Sequence, residues 1–85
     1  MKMKIYRIPH DFGTSTTYEY EAPAGASKQE LLDAIINDYG RGKDTLILYD
    51  DRGAKVAAAI WPQGSGGYER HYSGWELDRL PPLLR

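Results

Sequence analysis

The stretch SKQELLDAIINDYG, residues 27–40, decides how this chain folds. Ser27 can accept a hydrogen bond from the amide of Glu30, whose carboxylate can reach back to the amide of Ser27, forming the capping box that begins many helices. Apolar side chains then recur at helical spacing, at Leu31, Leu32, Ile35, Ile36 and Tyr39. Gly40 can supply the left-handed residue that ends a helix. The pattern predicts a helix over residues 28–39 whose apolar stripe is wide enough to cover one face of a sheet.

Two strands are predicted before this helix. MKMKIYRI, residues 1–8, carries apolar side chains on both parities and ends at Pro9. TTYEYEA, residues 16–22, alternates cleanly, with tyrosines on one parity and glutamates on the other, which is typical of a half-buried strand. The connection between them is short, so we expect an antiparallel hairpin.

Three strands are predicted after the helix. TLILYD, residues 45–50, is apolar on both parities and should be a central strand. The turn that follows contains Gly53, which can take the positive φ that tight hairpin turns need. AKVAAAIWP, residues 54–62, is the return strand, and YERHYSGWEL, residues 68–77, is a fifth strand.

The predicted order is ββαβββ, and one helix on a mainly antiparallel sheet makes an α+β domain. The hairpin and helix of the first forty residues follow the order of a β-grasp domain such as ubiquitin, a topological likeness that predicts no function. We expect a single domain over residues 1–79 and an extended C-terminal tail over residues 80–85. Exposed leucines would be costly, so the tail should pack back on apolar surface through Leu80, Leu83 and Leu84.

Composition narrows the class of protein. Eleven Lys and Arg against twelve Asp and Glu give a net charge of −1, which argues against both a general nucleic-acid binder and an acidic DNA mimic. The absence of cysteine excludes disulfides, thiolate zinc sites and a cysteine nucleophile, and favours the cytoplasm. No apolar run approaches the ~20 residues that span a bilayer, so we expect a cytoplasmic protein with no membrane contact.

Candidate catalytic and metal sites are weak. His10 and His71 lack the spacing of a ligand pair, and their rings meet only if the fold brings them together. Ser65 lies in QGSGG rather than in a nucleophile elbow. The sequence GRGKD follows a helix instead of preceding one, which is the wrong order for a phosphate loop. We therefore predict no enzyme activity, cofactor or metal, and a small metal-dependent or hydrolytic enzyme using the two histidines is the alternative.

One helix covers only one face of the sheet, so the other face should stay open, with some of Tyr6, Ile8, Ile47, Tyr49 and Trp61 on it. Strict alternation along residues 68–77 puts Tyr68, Arg70 and Tyr72 on that open face. It puts His71, Trp75 and Leu77 on the helix side. A bulge at Ser73-Gly74 would reverse the row, but burying Arg70 would then require a partner.

Aromatic residues with arginine carry binding energy at protein interfaces. We therefore predict a non-catalytic protein-binding module that uses a sheet face or an edge strand, with another protein or a second copy of this chain as partner. The contact group is predicted to be Trp61, Tyr68, Arg70 and Tyr72. A single-stranded nucleic-acid or ribonucleoprotein contact is the alternative, disfavoured by the net charge, and would use Tyr68, Arg70, His71, Tyr72 and Arg79.

In size and plan, a single cysteine-free α+β domain, the chain resembles small inhibitor or accessory proteins encoded by phages and other mobile elements, including anti-CRISPR proteins. The resemblance is one of architecture. It implies a protein that blocks or assists a larger machine by binding it.

Overall fold

The computed structural model describes residues 1–11, 13–40 and 42–83. The strands of this part of the chain are β1 (Lys2–Ile8), β2 (Thr16–Glu21), β3 (Thr45–Tyr49), β4 (Lys55–Ile60) and β5 (Glu69–His71). The helices are α1 (Lys28–Tyr39) and α2 (Trp75–Asp78). The strands form one sheet in the order β2-β1-β3-β4-β5, and every neighbouring pair is antiparallel. The predicted α+β fold with ββαβββ order is confirmed, and a short second helix is added to it.

Helix α1 begins as the sequence predicts. Ser27 Oγ accepts from the amide of Glu30 at 3.1 Å, and Glu30 Oε1 accepts from the amide of Ser27 at 3.0 Å. These hydrogen bonds lower the pKa of Glu30, because they stabilise its charged form. The helix buries its predicted stripe, with Leu32 and Ile35 fully enclosed.

The end of α1 differs from the prediction. Gly40 has φ −70°, so it is not the left-handed residue that the sequence indicated. Its amide donates to the carbonyl oxygen of Ile36 at 3.0 Å, and a Cβ placed on Gly40 would lie 2.5 Å from that oxygen. Gly40 is therefore needed for a close backbone approach, and the positive φ occurs two residues later, at Gly42.

The face of the sheet under α1, the helix-side face, carries the larger part of the core. Ile5 of β1, and Leu46 and Leu48 of β3, are fully buried there against the helix. Alternate residues of β4, Ala57 and Ala59, belong to the same cluster. Half-buried aromatic rings surround it, from Tyr18, Tyr20, Tyr39, Tyr68 and Tyr72.

The opposite face, the second face, is covered, and the prediction of an open aromatic face is wrong. Ile47 and Tyr49 of β3 are fully buried there, against Leu77 of α2. Leu80 and Leu83 pack on the same cluster, so the predicted return of the tail onto apolar surface is confirmed for them. Leu84 and Arg85 lie outside the described residues. The domain boundary between residues 79 and 80 stays a prediction.

The last predicted strand is shorter than the sequence indicated. β5 ends at His71, and α2 replaces the strand over Trp75–Asp78. Gly74 has φ +92° and turns the chain between the two. Glu76 and Asp78 then lie in the first turn of α2, where acidic side chains interact favourably with the positive helix end.

Candidate protein-binding surface

The C-terminal segment is fixed to the second face by two polar side chains. Lys55 Nζ donates to the carbonyl oxygens of Leu77, Asp78 and Leu80 at 3.2, 2.8 and 2.6 Å. The hydroxyl of Tyr49 donates to the carbonyl oxygen of Pro81 at 2.7 Å. An ammonium group at the carboxyl end of a helix also complements the helix dipole. The segment is thus held by charge-assisted hydrogen bonds as well as by its leucines.

A β-bulge places Lys55 for this role. The register of β3 and β4 shifts between Leu48 and Tyr49, so that Leu48 lies opposite Ala57 but Tyr49 lies opposite Lys55. Val56 is the additional residue on β4. Without the shift, Lys55 would project from the helix-side face. The bulge therefore turns its side chain toward α2.

Helix α2 displays one large side chain to solvent. Leu77 is buried against the second face, whereas Trp75 keeps 69% of its surface exposed. Arg79 lies over the indole, with its guanidinium carbon 5.4 Å from the ring centroid. Its Nη2 atom is 3.1 Å from Oε2 of Glu76. We call Trp75, Glu76 and Arg79 the Trp75 surface.

The Trp75 surface has the chemistry of an interface anchor. Tryptophan and arginine are the residue types that most often dominate binding energy between proteins. The ring and the carboxylate of Glu76 orient the guanidinium before any partner arrives, which reduces the entropy lost on binding. The indole of Trp75 offers apolar area. The guanidinium of Arg79 offers N–H donors in a fixed orientation, which suits a carboxylate or carbonyl group.

Two residues of the predicted contact group, Trp61 and Tyr68, lie together and serve the fold. Their rings meet edge to face, with centroids 5.1 Å apart. The indole N–H of Trp61 donates to the carbonyl oxygen of Ser65 at 3.1 Å, which closes the QGSGG loop. The hydroxyl of Tyr68 donates to the carbonyl oxygen of Gly42 at 3.0 Å, and burial raises the pKa of this phenol.

The other two predicted contact residues face α1, and the prediction that the row points away from the helix is wrong. Arg70 lies opposite Ala59, which belongs to the helix-side core. Its Nε donates to Oδ1 of Asp33 on α1 at 2.9 Å. Tyr72 packs on the same core. Arg70 therefore has a partner, Asp33, that the sequence did not reveal. The side chains of Arg70 and Asp33 both remain partly exposed.

The structure does not bring His10 and His71 together. His71 of β5 lies opposite Ala58 of β4, which lies opposite Ile47 of β3, which in turn lies opposite Tyr6 of β1. Three strand spacings, about 14 Å in all, therefore separate His71 from Tyr6. His10 follows the end of β1, four residues beyond Tyr6. Among the described residues, no group of three or more His, Asp or Glu could hold a metal ion. That the chain has no enzymatic activity stays a prediction.

The sequence did not reveal a partly buried ion pair between Arg7 and Asp44. Asp44, 5% exposed, accepts from Nε of Arg7 at 2.6 Å and from the amide of His10 at 3.1 Å. The hydrogen bond to Asp44 raises the pKa of Arg7. The pair joins the end of β1 to the start of β3, so its role is structural.

The Trp75 surface was not predicted either, although the sequence contains a signal for the helix that carries it. Small residues at 73 and 74 precede Trp-Glu-Leu-Asp, which places acidic side chains where the first turn of a helix favours them. A helix here separates Trp75 from Leu77, whereas a strand would put them on one face.

Comparisons of the chain with protein-family models, with curated proteins and with solved structures find no match. No helix in the described ranges is long and apolar enough to cross a membrane.

Proposed function

We propose that this protein is a non-catalytic protein-binding module whose contact surface is centred on Trp75. The observation that carries the proposal is the 69% exposure of this indole on a helix that is otherwise fixed to the sheet. Among the described large apolar side chains, only Met1, at 62%, is comparably exposed. A fixed, exposed tryptophan beside an oriented arginine supports recognition of another protein.

The charges near Trp75 favour a protein over a nucleic acid. Glu76 and Asp78 lie on the same short helix as Trp75, and carboxylates repel phosphates. Of the aromatics proposed to stack on bases, Tyr68 and Tyr72 are half-buried against the helix-side core. The single-stranded nucleic-acid alternative, which would use Tyr68, Arg70, His71, Tyr72 and Arg79, therefore has less exposed ring surface on which bases could stack.

The biological setting belongs to the same proposal. A small cysteine-free α+β domain with a compact anchor suits an inhibitor or accessory protein that acts in the cytoplasm, of the kind encoded by phages and mobile elements. Its partner would be a larger protein, with self-association through the same surface as the second possibility.

The proposal is tested by affinity capture from a lysate of the source organism with immobilised protein. Trp75→Ala and Arg79→Ala are compared with wild type, and Arg52→Ala is the matched control, because Arg52 is an exposed cation on the β3–β4 turn. Removing a hot-spot residue typically costs about 2 kcal/mol, so binding of a partner should weaken by about 30-fold in Trp75→Ala. Arg52→Ala should bind as wild type does.

Retention of every partner and of the oligomeric state by Trp75→Ala would remove the Trp75 surface from the proposal. Retention on single-stranded nucleic acid that falls steeply with salt and is lost in Trp75→Ala would replace the protein partner by a nucleic acid.

A further inference from the structure

We propose that the outer edge of β2 accepts an extended peptide strand from a partner, with cationic side chains at alternate positions. β2 is the last strand of the sheet at the end opposite β5. Its six residues, TTYEYE, keep an unbroken register with β1. The side chains of Thr17, Glu19 and Glu21 are exposed. No strand of the described residues pairs with this edge.

The hydrogen bonds between β1 and β2 show which backbone groups face outward. Met1 and Ala22 exchange two bonds, 3.0 Å from Met1 N to Ala22 O and 2.9 Å in the reverse direction. Bonded and non-bonded pairs alternate along an antiparallel ladder. The amides and carbonyls of Tyr18 and Tyr20 therefore face β1. Those of the residues that alternate with them face the free edge, namely Thr17, Glu19 and Glu21.

This edge lacks most of the features that prevent strand addition. Natural edges are commonly interrupted by proline, lysine or a bulge, or are very short. β5, the other edge of the sheet, is short, with three residues. β2 has twice that length and contains no proline, lysine or bulge. Its outward backbone groups form a regular row that a partner strand can continue.

A second copy of the chain fits this edge less well than a cationic strand. Outward-facing residues can pair only with outward-facing residues of the added strand. Of the two antiparallel registers with the greatest overlap, one places Glu19 opposite Glu19 of the second copy and the other places Glu19 opposite Thr17. Like charges directly opposite each other destabilise a sheet. The glutamates thus disfavour the first of these registers, whereas a strand of opposite charge is attracted in every register that places its cations opposite Glu19 and Glu21.

The residues on the two faces of β2 specify the chemistry of the added strand. Lys4 and Lys2 lie opposite Glu19 and Glu21 on the β1 side, so cations of the partner would complete Lys-Glu-Lys rows across three strands. On the helix-side face, the added strand meets Tyr18 and Tyr20, beside which β-branched side chains pack well. The partner segment therefore alternates Lys or Arg with Val, Ile or Thr.

The probe for this site is the peptide acetyl-Thr-Lys-Val-Lys-Val-Lys-Thr-amide, titrated into ¹⁵N-labelled protein. The amides of Thr17, Glu19 and Glu21 should exchange rapidly in the free protein and become protected when the peptide binds. The amides of Tyr18 and Tyr20 should be protected in both states. Binding should weaken as salt is added, and the same peptide with Glu in place of Lys should not bind.

Two variants separate backbone pairing from charge attraction. Glu19→Pro removes an amide that has no partner within the sheet, which an edge strand tolerates, and should weaken binding at least about tenfold. Glu19→Lys/Glu21→Lys keeps every amide and should bind the Glu peptide in place of the Lys peptide. Trp75→Ala, on helix α2, which packs on β3 and β4, is the matched control and should bind as wild type does, so this site and the Trp75 surface are tested independently.

The proposal is overturned if the Lys peptide causes no protection at residues 17, 19 and 21. It is overturned equally if folded Glu19→Pro binds with unchanged affinity, because the attraction would then be one of charge alone. Should Glu19→Pro fail to fold, the charge-reversal variant and the exchange pattern of the wild-type protein decide the question.

Discussion

The ammonium group of Lys55 lies 2.6 Å from the carbonyl oxygen of Leu80, which is 25 residues further along the chain. This contact joins β4 to the segment that covers the second face. The bulge between Leu48 and Tyr49 makes it possible, because it sets the side to which Lys55 projects. A single side chain thus connects a local irregularity in the sheet to the position of α2.

Lys55→Met should destabilise the protein by about 2 kcal/mol, because three carbonyl oxygens lose a charged donor. Amide exchange should accelerate first in residues 75–83. Urea denaturation and hydrogen exchange measure the two effects. Lys2→Met is the control, since Lys2 is exposed, and its effect should stay below about 0.5 kcal/mol. Equal effects of the two substitutions would contradict the role of Lys55.

Tyr49→Phe should cost about 1 kcal/mol at neutral pH, because the carbonyl oxygen of Pro81 loses its donor. Burial raises the pKa of Tyr49 from 10.0 to about 12. A pKa raised in the folded state contributes stability that is complete below pH 10 and is lost as the pH rises toward 12.

The pH dependence of Tyr49 is isolated by subtraction. Burial also raises the pKa values of Tyr20 and Tyr68, so the wild-type stability falls for several reasons above pH 10. The difference between wild type and Tyr49→Phe should shrink over this range in urea titrations. A difference that stays constant would show that Tyr49 ionises as freely in the folded as in the unfolded chain.

Asp44→Ala should destabilise the protein, because it leaves the Arg7 guanidinium without its carboxylate. The amide of His10 loses its acceptor in the same variant. The double variant Arg7→Met/Asp44→Leu should regain most of this loss, since an apolar pair can replace a buried ion pair. A double-mutant cycle measured by chemical denaturation gives the coupling, and additive losses would show that the two side chains act separately.

Trp75→Ala and Leu77→Ala should differ sharply in stability despite being two residues apart. Leu77 is 4% exposed, and its truncation should cost about 2–3 kcal/mol. Trp75 is mostly exposed, and its truncation should change stability by less than about 0.5 kcal/mol. Thermal denaturation of the two variants is the measurement. A large loss in Trp75→Ala would mean that its indole serves the fold and not a partner.

The elements that could be predicted are those whose signal is local. The capping box at Ser27 and Glu30, with the apolar spacing after it, correctly predicted the first and last residues of α1. Alternation in TTYEYE and the two-sided apolar pattern of TLILY identified an outer and a central strand. Each of these patterns is set by the backbone geometry of a single element, so no knowledge of distant contacts was needed.

The face of the sheet on which the predicted contact residues lie could not be predicted, because it depends on distant contacts. Alternation groups Tyr68, Arg70 and Tyr72, but only the pairing of Arg70 with Ala59 decides which face receives them. The cost assigned to burying Arg70 assumed no partner, and Asp33 of α1 supplies one. A strand was predicted through Trp75, and residues two apart share one face of a strand, so Trp75 was predicted to lie with Leu77. Residues two apart do not share a face in a helix, which is what the chain forms here.

The run of small residues in β4 limits how this fold can change. Ala57 and Ala59 contact the α1 side and Ala58 contacts the α2 side, and all three are fully buried. A methyl group is the whole of each side chain, and both α1 and α2 contact β4. Any larger residue there would push one helical layer outward. A protein engineer should therefore hold β4 constant and diversify the exposed positions of β2 and the Trp75 surface instead.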